Sequence, residues 1–433
     1  MKPSIRRLAL AATLLTVQAA AQSGPGADAL TLADAYAEAA ARNPMLHAER
    51  ARAEAVGAMR RSAALPPDPQ VQLGIMNASI PGLRTDMPTS MAPSIRVMQM
   101  VPFPGKPALA GRIAARDAEI AAAGAFEAAW MVRGRVAMAF YEVYRADRQL
   151  GVMRETLALL RTFEAVARSM YGAGTGRQAD VLRAGVEVAR MEADIARMQA
   201  MRAAAAARLN AALGRPAGTP VPAVALSPRP GALPPADTLR AWAREARPLL
   251  LQQRLAVVRA RDRARLAGRE IWPDVVVGFE YGQRRDPEMG TERMGSLMVG
   301  FTVPVFARQR QYAMRREAAA MEQMASAELQ EATLGAEARI AELTAELDRA
   351  RTLVRLYRGQ VLPQAEAGVQ SALSAYRVGA VDFMTLVDAQ MTVNGFRQEM
   401  FALLAEYGTA VAGLEMVLGR ELPAGTDVLK EVP

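Results

Sequence analysis

The sequence DVVVGFEYG at residues 274–282 is followed, after a short loop, by SLMVGFTV at residues 296–303. In both stretches apolar side chains stand at every second position, as they do in a β-strand with one apolar face. Each stretch is close to the length of a tilted membrane-crossing strand, about 9–11 residues. The pair therefore predicts two membrane-length strands. The chain has no run of 18 consecutive apolar residues, so the sequence predicts no membrane-spanning helix.

Helical sequence follows these strands. After Pro304 the helical periodicity continues to about Tyr376, and it resumes beyond a turn near residues 379–382. On each side of that turn, apolar residues recur in alternating steps of three and four, the spacing that drives coiled-coil pairing. The two stripes are Ile340, Leu343, Leu347, Ala350, Val354, Tyr357 and Val361, then Val393, Phe396, Met400, Leu403, Tyr407, Ala410 and Leu414. A helix of about 60–70 residues measures about 90–100 Å.

The same order of elements occurs twice, at an offset of roughly 202–206 residues. Five matches appear in the same order along both halves. They are Asn43-Pro44 with Arg247-Pro248, Leu65-Pro66-Pro67-Asp68 with Ile271-Trp272-Pro273-Asp274, Met100-Val101-Pro102-Phe103 with Thr302-Val303-Pro304-Val305, Tyr171-Gly172-Ala173-Gly174 with Tyr376-Arg377-Val378-Gly379, and Leu213-Gly214-Arg215 with Leu418-Gly419-Arg420. The sequence therefore indicates a duplicated unit of helix, two strands and a long helical hairpin.

The repeat predicts the domain organisation of the whole chain. The expected segments are a signal peptide at 1–21, a first repeat at 30–214, a proline-rich linker at 215–237, a second repeat at 238–422 and a tail at 423–433. The first repeat would comprise one opening helix at about 32–65, strands at about 70–80 and 94–101, and a hairpin at about 106–213 that turns near 172–176. The second would comprise strands at about 274–282 and 296–303 and a hairpin at about 308–418 that turns near 379–382.

The first residues have the three parts of a secretory signal. Lys2, Arg6 and Arg7 precede an apolar run at residues 8–17, and small residues follow at Ala19-Ala20-Ala21. The run is too short to cross about 30 Å of hydrocarbon. We therefore expect cleavage and export from the cytoplasm.

Composition excludes several classes of function. The 433 residues contain no cysteine, which excludes disulfide scaffolds, thiol catalysis and iron–sulfur ligation. A metal site or catalytic triad built on histidine would depend on His47 alone. The net charge of +9 is spread along the chain with no block of like charge, so we expect no nucleic-acid partner. No constellation predicts an enzyme or a cofactor.

Four membrane-length strands cannot close a barrel, and open strand edges are not tolerated in lipid. Closure therefore needs several copies of the chain. Three copies would supply twelve strands, enough for a barrel with a water-filled interior. The predicted fold class is an α+β membrane protein with a β-barrel shared between copies, and the resemblance given next implies a trimeric 12-stranded β-barrel continued by an α-helical coiled-coil barrel.

The signal peptide, the duplicated halves, the Tyr-x-x-Gly turns at Tyr171 and Tyr376 and the Leu-Gly-Arg endings resemble the TolC family of outer-membrane efflux proteins. The resemblance covers residues from about 30 to 422. It implies a homotrimer in the Gram-negative outer membrane, surrounded by its lipid and extending into the periplasm. It also implies partners: a periplasmic adaptor and an inner-membrane RND-type pump. The run at residues 101–106 and the segment 376–390 look most like the heavy-metal branch, for cobalt, zinc, cadmium and copper.

The resemblance also implies where the functional residues lie. Carboxylates just after the turns ring the periplasmic mouth of the tunnel in the family, and a ring of carboxylates favours cations. The candidates here are Asp388, Asp180 and Asp382, while Thr385 stands where some members have a second Asp. The alternative is that these carboxylates cap helices. The turn residues expected to contact the adaptor are Tyr171, Gly172, Gly174, Tyr376 and Gly379.

Three other motifs favour structural roles. Methionines cluster around both strand pairs, and thioethers suit Cu(I), but methionine is also an ordinary gap-filler. These are Met76, Met87, Met91, Met98, Met100, Met289, Met294 and Met298. The run 172–176 has the glycines of a phosphate loop, but it follows a helix and lacks the full spacing. We expect His47 to be solvated or between helices.

Other functions stay open at this point. The same fold could serve type I protein secretion or drug efflux. A soluble periplasmic coiled-coil scaffold or adaptor would have a single hairpin flanked by compact β-domains, which two hairpins and four amphipathic strands contradict. A hydrolase is disfavoured by the single histidine and the absence of a Gly-x-Ser-x-Gly elbow.

Overall fold

The computed structural model of the chain describes residues 29–77, 82, 90–225, 232–286 and 290–423. The predicted signal peptide at 1–21 lies outside the described residues. So do positions 78–80 of the predicted first strand, part of the linker, and all but the first residue of the predicted tail.

The described elements repeat in the two halves. The first half comprises α1 (Leu32–Arg42), α2 (Pro44–Ser62), β1 (Gln70–Met76), β2 (Met91–Val101), α3 (Lys106–Gly172) and α4 (Gln178–Leu213). The second half comprises α5 (Ala236–Ala246), α6 (Pro248–Arg269), β3 (Val275–Asp286), β4 (Gly290–Phe301), α7 (Gln311–Leu356), a π-helical turn (Tyr357–Val361), α8 (Leu362–Arg377) and α9 (Phe383–Leu418). The two series differ only in the π-helical turn.

The opening helix is broken, and the single helix predicted at 32–65 is wrong. At Asn43 the backbone is extended (φ −68°, ψ 120°), and the Asn43 side chain accepts the N–H of Met45 at 2.9 Å as an N-cap. Pro44 causes the break, because it lacks an N–H and disfavours helical geometry in the residue before it. Arg247 and Pro248 repeat this break in the second half.

The four strands form one antiparallel sheet in the order β1-β2-β3-β4. In its central row, Val97 of β2 pairs with Phe279 of β3, which pairs with Leu297 of β4. The strands β2, β3 and β4 begin or continue beyond the predicted limits, since β3 runs to Asp286 and β4 starts at Gly290. The sequence predicts a loop at these residues, whereas the antiparallel pairing continues from Arg284 and Glu292 to Asp286 and Gly290 at the end of the hairpin.

Two long helical hairpins leave the same end of the sheet. The helices α3 and α4 form the first hairpin, while α7, α8 and α9 form the second. Both returning helices end at a left-handed glycine, Gly214 (φ 79°) and Gly419 (φ 67°). A Cβ at Gly214 would lie 2.7 Å from the Arg42 carbonyl oxygen, and one at Gly419 equally close to that of Ala246. The Leu-Gly-Arg endings therefore let each hairpin close on the broken opening helix.

A π-helical turn interrupts the outgoing arm of the second hairpin. It spans Tyr357–Val361, immediately before Pro363. Proline in a helix interior removes a hydrogen bond and clashes with the carbonyl four residues earlier, so the local winding widens. The predicted heptads run through this segment, and their spacing gave no indication of the turn.

The heptad stripes form the core. Ile340, Leu343 and Leu347 are each 1% exposed, and they pack with the buried Leu403 and Leu414 of α9. A second cluster near the hairpin turns includes Phe163, Met191 and Phe383. By length and composition, α9 is the one described helix that could cross a membrane, but 56% of its most apolar stretch is buried inside the protein. Its apolar residues thus serve packing between hairpins.

Close helix contact also depends on Gly408 of α9. The ring of Tyr141 of α3 lies directly against it, and a Cβ at Gly408 would lie 2.1 Å from the Tyr141 Cζ atom. Both residues are buried in the first cluster or its edge. The glycine therefore allows the two hairpins to approach.

Candidate functional site

One face of the sheet is an exposed apolar band. The side chains of alternate positions point outward on all four strands, and the register aligns them in rows such as Val71, Val97, Phe279 and Leu297. The exposed members range from 39% to 76% exposed: Val71, Leu73, Ile75, Ile95, Val97, Val101, Val277, Phe279, Leu297, Val299 and Phe301. A continuous apolar face of this kind on antiparallel strands is typical of contact with lipid.

The opposite face of the sheet carries polar side chains beside methionines and glycines. A row of Gln72, Arg96, Glu280 and Ser296 crosses the four strands. Arg96 donates to the Glu280 carboxylate from Nε at 3.2 Å and from a terminal nitrogen at 2.9 Å. Glu280 is buried, so this ion pair is one that the fold shields from solvent. The sheet thus separates an apolar side from a side that suits water.

The methionines on the polar face fill space beside glycines. A Cβ at Gly278 would lie 3.3 Å from the Met98 Cγ and 3.4 Å from the Met298 Cε, and one at Gly282 would lie 3.1 Å from the Met91 Sδ. These are the contacts of gap-filling side chains. Met87 and Met289 lie outside the described residues.

Both edges of the described sheet are unpaired. The strand β1 is bonded only to β2, and β4 only to β3. In β4 every side chain except that of Glu292 is exposed, on both faces. An unpaired edge presents a row of backbone N–H and C=O groups that lipid cannot satisfy.

A charge cluster around the buried Lys106 ties the sheet to the hairpins. The Asp274 carboxylate accepts from the Phe103 N–H at 2.7 Å and from the Lys106 Nζ at 2.9 Å, and Phe103 stacks on Trp272 with ring centroids 5.3 Å apart. Burial raises the pKa of the Asp274 carboxyl, but the bonds from Phe103 and Lys106 outweigh burial and hold that pKa below its usual range. The sequence matches include Asp274 and Phe103 but gave no indication that they meet.

The two hairpin turns share one backbone geometry. Gly174 (φ 75°) and Gly379 (φ 74°) are left-handed, and their N–H groups donate to the carbonyls of Tyr171 and Tyr376, each at 3.0 Å. The turns differ in the tyrosine. Tyr171 is 48% exposed, whereas Tyr376 is 3% exposed and packs edge-on against Phe383. Gly172 is exposed beside Tyr171.

Tyr376 links the two turns electrostatically. Burial raises the pKa of its hydroxyl, and the carboxylate of Asp180, on the first turn of α4, raises it further. Asp180 is half-buried. Ala184 of α4 lies in the same buried cluster as Tyr376 and Phe383, so the tip of the first hairpin lies beside the tip of the second.

The three candidate carboxylates occupy different environments. Asp382 is the N-cap of α9: its Oδ1 accepts the Thr385 N–H at 2.9 Å and the Thr385 hydroxyl at 2.6 Å. These bonds, with Arg183 and Arg177 nearby, hold the pKa of Asp382 below its usual range. Asp388 is exposed, on the side of α9 away from the buried core, and its side chain has no hydrogen bond or ion pair within the described residues.

The sequence reasoning missed a buried polar contact between the hairpins. The Thr156 hydroxyl of α3 donates to the Asn394 Oδ1 of α9 at 3.2 Å, and both residues are buried. The available indication was Asn394 itself, a polar residue directly after Val393 of the apolar stripe. Arg397, one turn further, pairs with Glu366 of α8 and Glu155 of α3. These contacts hold the first hairpin against the second.

The remaining candidates take no part in a site. His47 is exposed on α2, with its Nε2 3.1 Å from the Ala41 carbonyl oxygen. Residues 172–176 join two helices, which is not the strand-to-helix setting of a phosphate loop. Among the described residues, no group of three or more His, Asp or Glu side chains is placed to hold a metal ion.

A sheet with one exposed apolar face, continued by long helical hairpins, is an architecture expected of an outer-membrane channel. Residues 239–420 match the sequence profile of the family described as outer membrane efflux protein. The match covers the second repeat and agrees there with the TolC-type resemblance. A comparison with curated proteins gave no match.

Solved structures share the fold over most of the chain. They include CusC, from a study of its transmembrane channel formation (TM-score 0.78, 16% identity, covering 90% of this chain and 92% of CusC). The outer-membrane channel OprN matches with a TM-score of 0.76 and 20% identity, and the match covers 91% of this chain and 90% of OprN. The outer membrane protein VceC of Vibrio cholerae matches with a TM-score of 0.76 and 18% identity, and the match covers 90% of this chain and 97% of VceC. The predicted duplicated-unit fold is thus confirmed.

Proposed function

We propose that the protein is the outer-membrane channel of a tripartite efflux system. Three copies would close a 12-stranded barrel in the outer membrane and a helical tunnel in the periplasm. Substrates would pass through it passively from an inner-membrane pump and a periplasmic adaptor to the exterior. The observation that carries this proposal is the two-faced sheet with both edges open, β1 and β4. Four strands are too few to enclose water, whereas twelve suffice.

The hairpins have the length that a periplasmic tunnel needs. The helix α3 alone has 67 residues and therefore spans about 100 Å at 1.5 Å per residue. Both hairpins leave the same end of the sheet, so three copies would place six hairpins around one axis. Their packed stripes give a thin wall held by side chains of both repeats.

The exposed turns support docking of an adaptor at the tips. Tyr171, Gly172 and Gly174 form one exposed turn, and Val378 beside Gly379 is 79% exposed on the other. Apolar side chains also stand exposed just beyond the first turn, at Leu182 and Val186. Tyr376 is buried, and its expected role is to hold the tip together beneath the contact surface. Exposed apolar residues at a rigid turn suit a protein partner.

A ring of carboxylates at the tunnel mouth is part of the proposal. Asp388 is the leading candidate because its side chain is exposed and unengaged within the described residues. Asp180 is the second, half-buried beside Tyr376. Asp382 already caps α9, so a gating role suits it least. Three aspartates from three copies would favour cations.

Heavy-metal ions are the proposed cargo, by likeness to CusC and by the sequence runs 101–106 and 376–390. Drug efflux is the second candidate, because the sequence resemblance leaves it open. Deleting the gene and measuring growth with metals, dyes and drugs separates the two. Metal sensitivity alone supports the first, and dye or drug sensitivity with normal metal tolerance contradicts it.

Conductance tests the channel itself. We expect the purified protein to produce stepwise increases in current across a planar bilayer and to conduct cations in preference to anions. Protein that inserts into the bilayer without conducting would contradict the proposal. The exposed, distant variant His47→Gln serves as a control for the effect of substitution, and we expect it to conduct as the original protein does.

A further inference from the structure

The charge cluster at the end of the sheet joins two neighbouring strands of one chain. Val101, at the end of β2, pairs with Val275, at the start of β3. Just beyond this pair, Asp274 accepts from the Phe103 N–H and from Lys106, whose side chain is buried there. The cluster therefore locks the end of one strand to the start of the next and to the helix that follows.

The internal repeat places the same residue types at the two open edges. The match of Pro102 with Pro304 puts Arg308 at the position of Lys106, and the match of Pro273 with Pro67 puts Asp68 at the position of Asp274. Arg308 follows the end of β4, and Asp68 precedes the start of β1. Within one chain these are opposite edges of the sheet, so the two residues cannot meet.

Both residues are exposed in the single chain. Neither Asp68 nor Arg308 has a hydrogen bond or ion pair with another residue that the structure describes. The apolar side chains around Arg308 are exposed too, with Val303 at 70%, Val305 at 79% and Phe306 at 72%. Before the start of β1, the exposed Asp68 and Leu65 offer a negative charge and an apolar side chain that complement this positive, apolar surface.

We propose that a second copy of this chain completes the cluster: Arg308 of one protomer pairs with Asp68 of the partner subunit. This rests on the proposed trimer and specifies its seam. The strand β4 then pairs antiparallel with the partner's β1. Carrying the register of β2 and β3 across the repeat sets Phe301 opposite Val71 of the partner subunit and Val299 opposite Leu73 of the partner subunit.

The proposed seam aligns apolar, outward-facing residues. Although its register follows from the strand ends alone, it sets the exposed Phe301 and Val299 beside the exposed Val71 and Leu73 of the partner subunit. A shift by one residue would set the apolar face of β4 against the polar face of β1. The seam therefore continues the apolar band without a break, as a closed barrel in lipid requires.

Cross-linking tests the seam cleanly, because the chain has no cysteine of its own. The variant Asp68→Cys/Arg308→Cys, treated with a short bismaleimide, should give covalent dimers and trimers on a denaturing gel. The matched variant Lys106→Cys/Asp274→Cys should react within one chain and migrate as a monomer. Each single variant should stay monomeric on the gel.

Charge exchange provides a second readout. Asp68→Arg and Arg308→Asp should each lower the temperature at which the trimer dissociates in detergent, and the double exchange should recover most of that loss. Single reversals without effect, or no recovery in the double variant, would overturn the pair. No cross-link in trimeric, conducting protein overturns the seam and leaves the channel function standing. Original protein that is monomeric and does not conduct overturns both.

Discussion

Leu297 and Ser296 are neighbours on β4 that face opposite sides of the sheet, and arginine at each should have opposite consequences. Leu297 is 74% exposed within the apolar band, in the row with Val97 and Phe279. Ser296 lies in the polar row with Glu280. The two positions share strand, depth and distance from the strand end. The pair therefore isolates the effect of the face.

The magnitude follows from the depth of Leu297 in the strand. It stands four residues before the end of β4 at Phe301, about 13 Å along the strand at about 3.3 Å per residue. That places it near the middle of an apolar band about 25 Å tall. Arginine on the lipid face at the midplane costs about 2–4 kcal/mol per copy, and about three times that for three copies. At Ser296 the guanidinium stays in water, and we expect a cost near zero.

Refolding into lipid vesicles measures this difference. The fraction of protein inserted, followed against urea concentration, should fall sharply for Leu297→Arg and stay close to the original for Ser296→Arg. Ser296→Arg should instead reduce the preference for cations, because three positive charges would enter the lumen. Equal insertion of both variants, or weaker insertion of Ser296→Arg, would refute the assignment of the two faces.

Three further predictions concern the helical part and the tunnel mouth. Gly408→Ala should destabilise the hairpins by about 1–2 kcal/mol, since overpacking of about 1–3 kcal/mol against the tyrosine ring outweighs the helix propensity gained. Gly185→Ala, where an added Cβ meets open space, is the matched control and should stabilise the hairpins by up to about 1 kcal/mol. Thermal unfolding followed by circular dichroism measures both variants, and a Gly408→Ala protein more stable than Gly185→Ala would contradict this. The bond to Arg215 holds the pKa of Glu38 below its ordinary 4.5, so the contribution of this carboxylate to stability is present above that pH and is lost as the pH falls through the lowered pKa. The difference in unfolding free energy between the original protein and Glu38→Gln should therefore shrink in acid. A difference that stays constant with pH would contradict this. Asp388→Asn should lower cation preference in bilayers without changing the fraction of trimer, and unchanged selectivity would remove this residue from the mouth.

The periodic parts of the fold were predictable because each forms by burying or exposing apolar residues at a regular spacing along the sequence. The stripe from Ile340 to Val354 is buried as the heptads predict, and the alternation from Val275 to Phe279 separates the two faces of β3. The repeat also placed both hairpin turns, where a left-handed glycine follows each tyrosine. These patterns depend on local spacing, which a sequence displays directly.

The departures come from single residues and from contacts between the repeats. Pro44 breaks the opening helix and Pro363 follows the π-helical turn, although the apolar pattern continues across both. The difference between the exposed Tyr171 and the buried Tyr376 could not be predicted, because it arises from how one hairpin tip packs on the other. For Asp382 the capping alternative describes its contacts, whereas the roles of Asp180 and Asp388 stay predictions.

The mass of the purified protein in detergent tests the central claim most directly. If the open edges of β1 and β4 close on further copies, native mass spectrometry should show three copies of the chain in one particle, with no stable monomer. A monomer, or a dimer that leaves two edges open, would contradict the account.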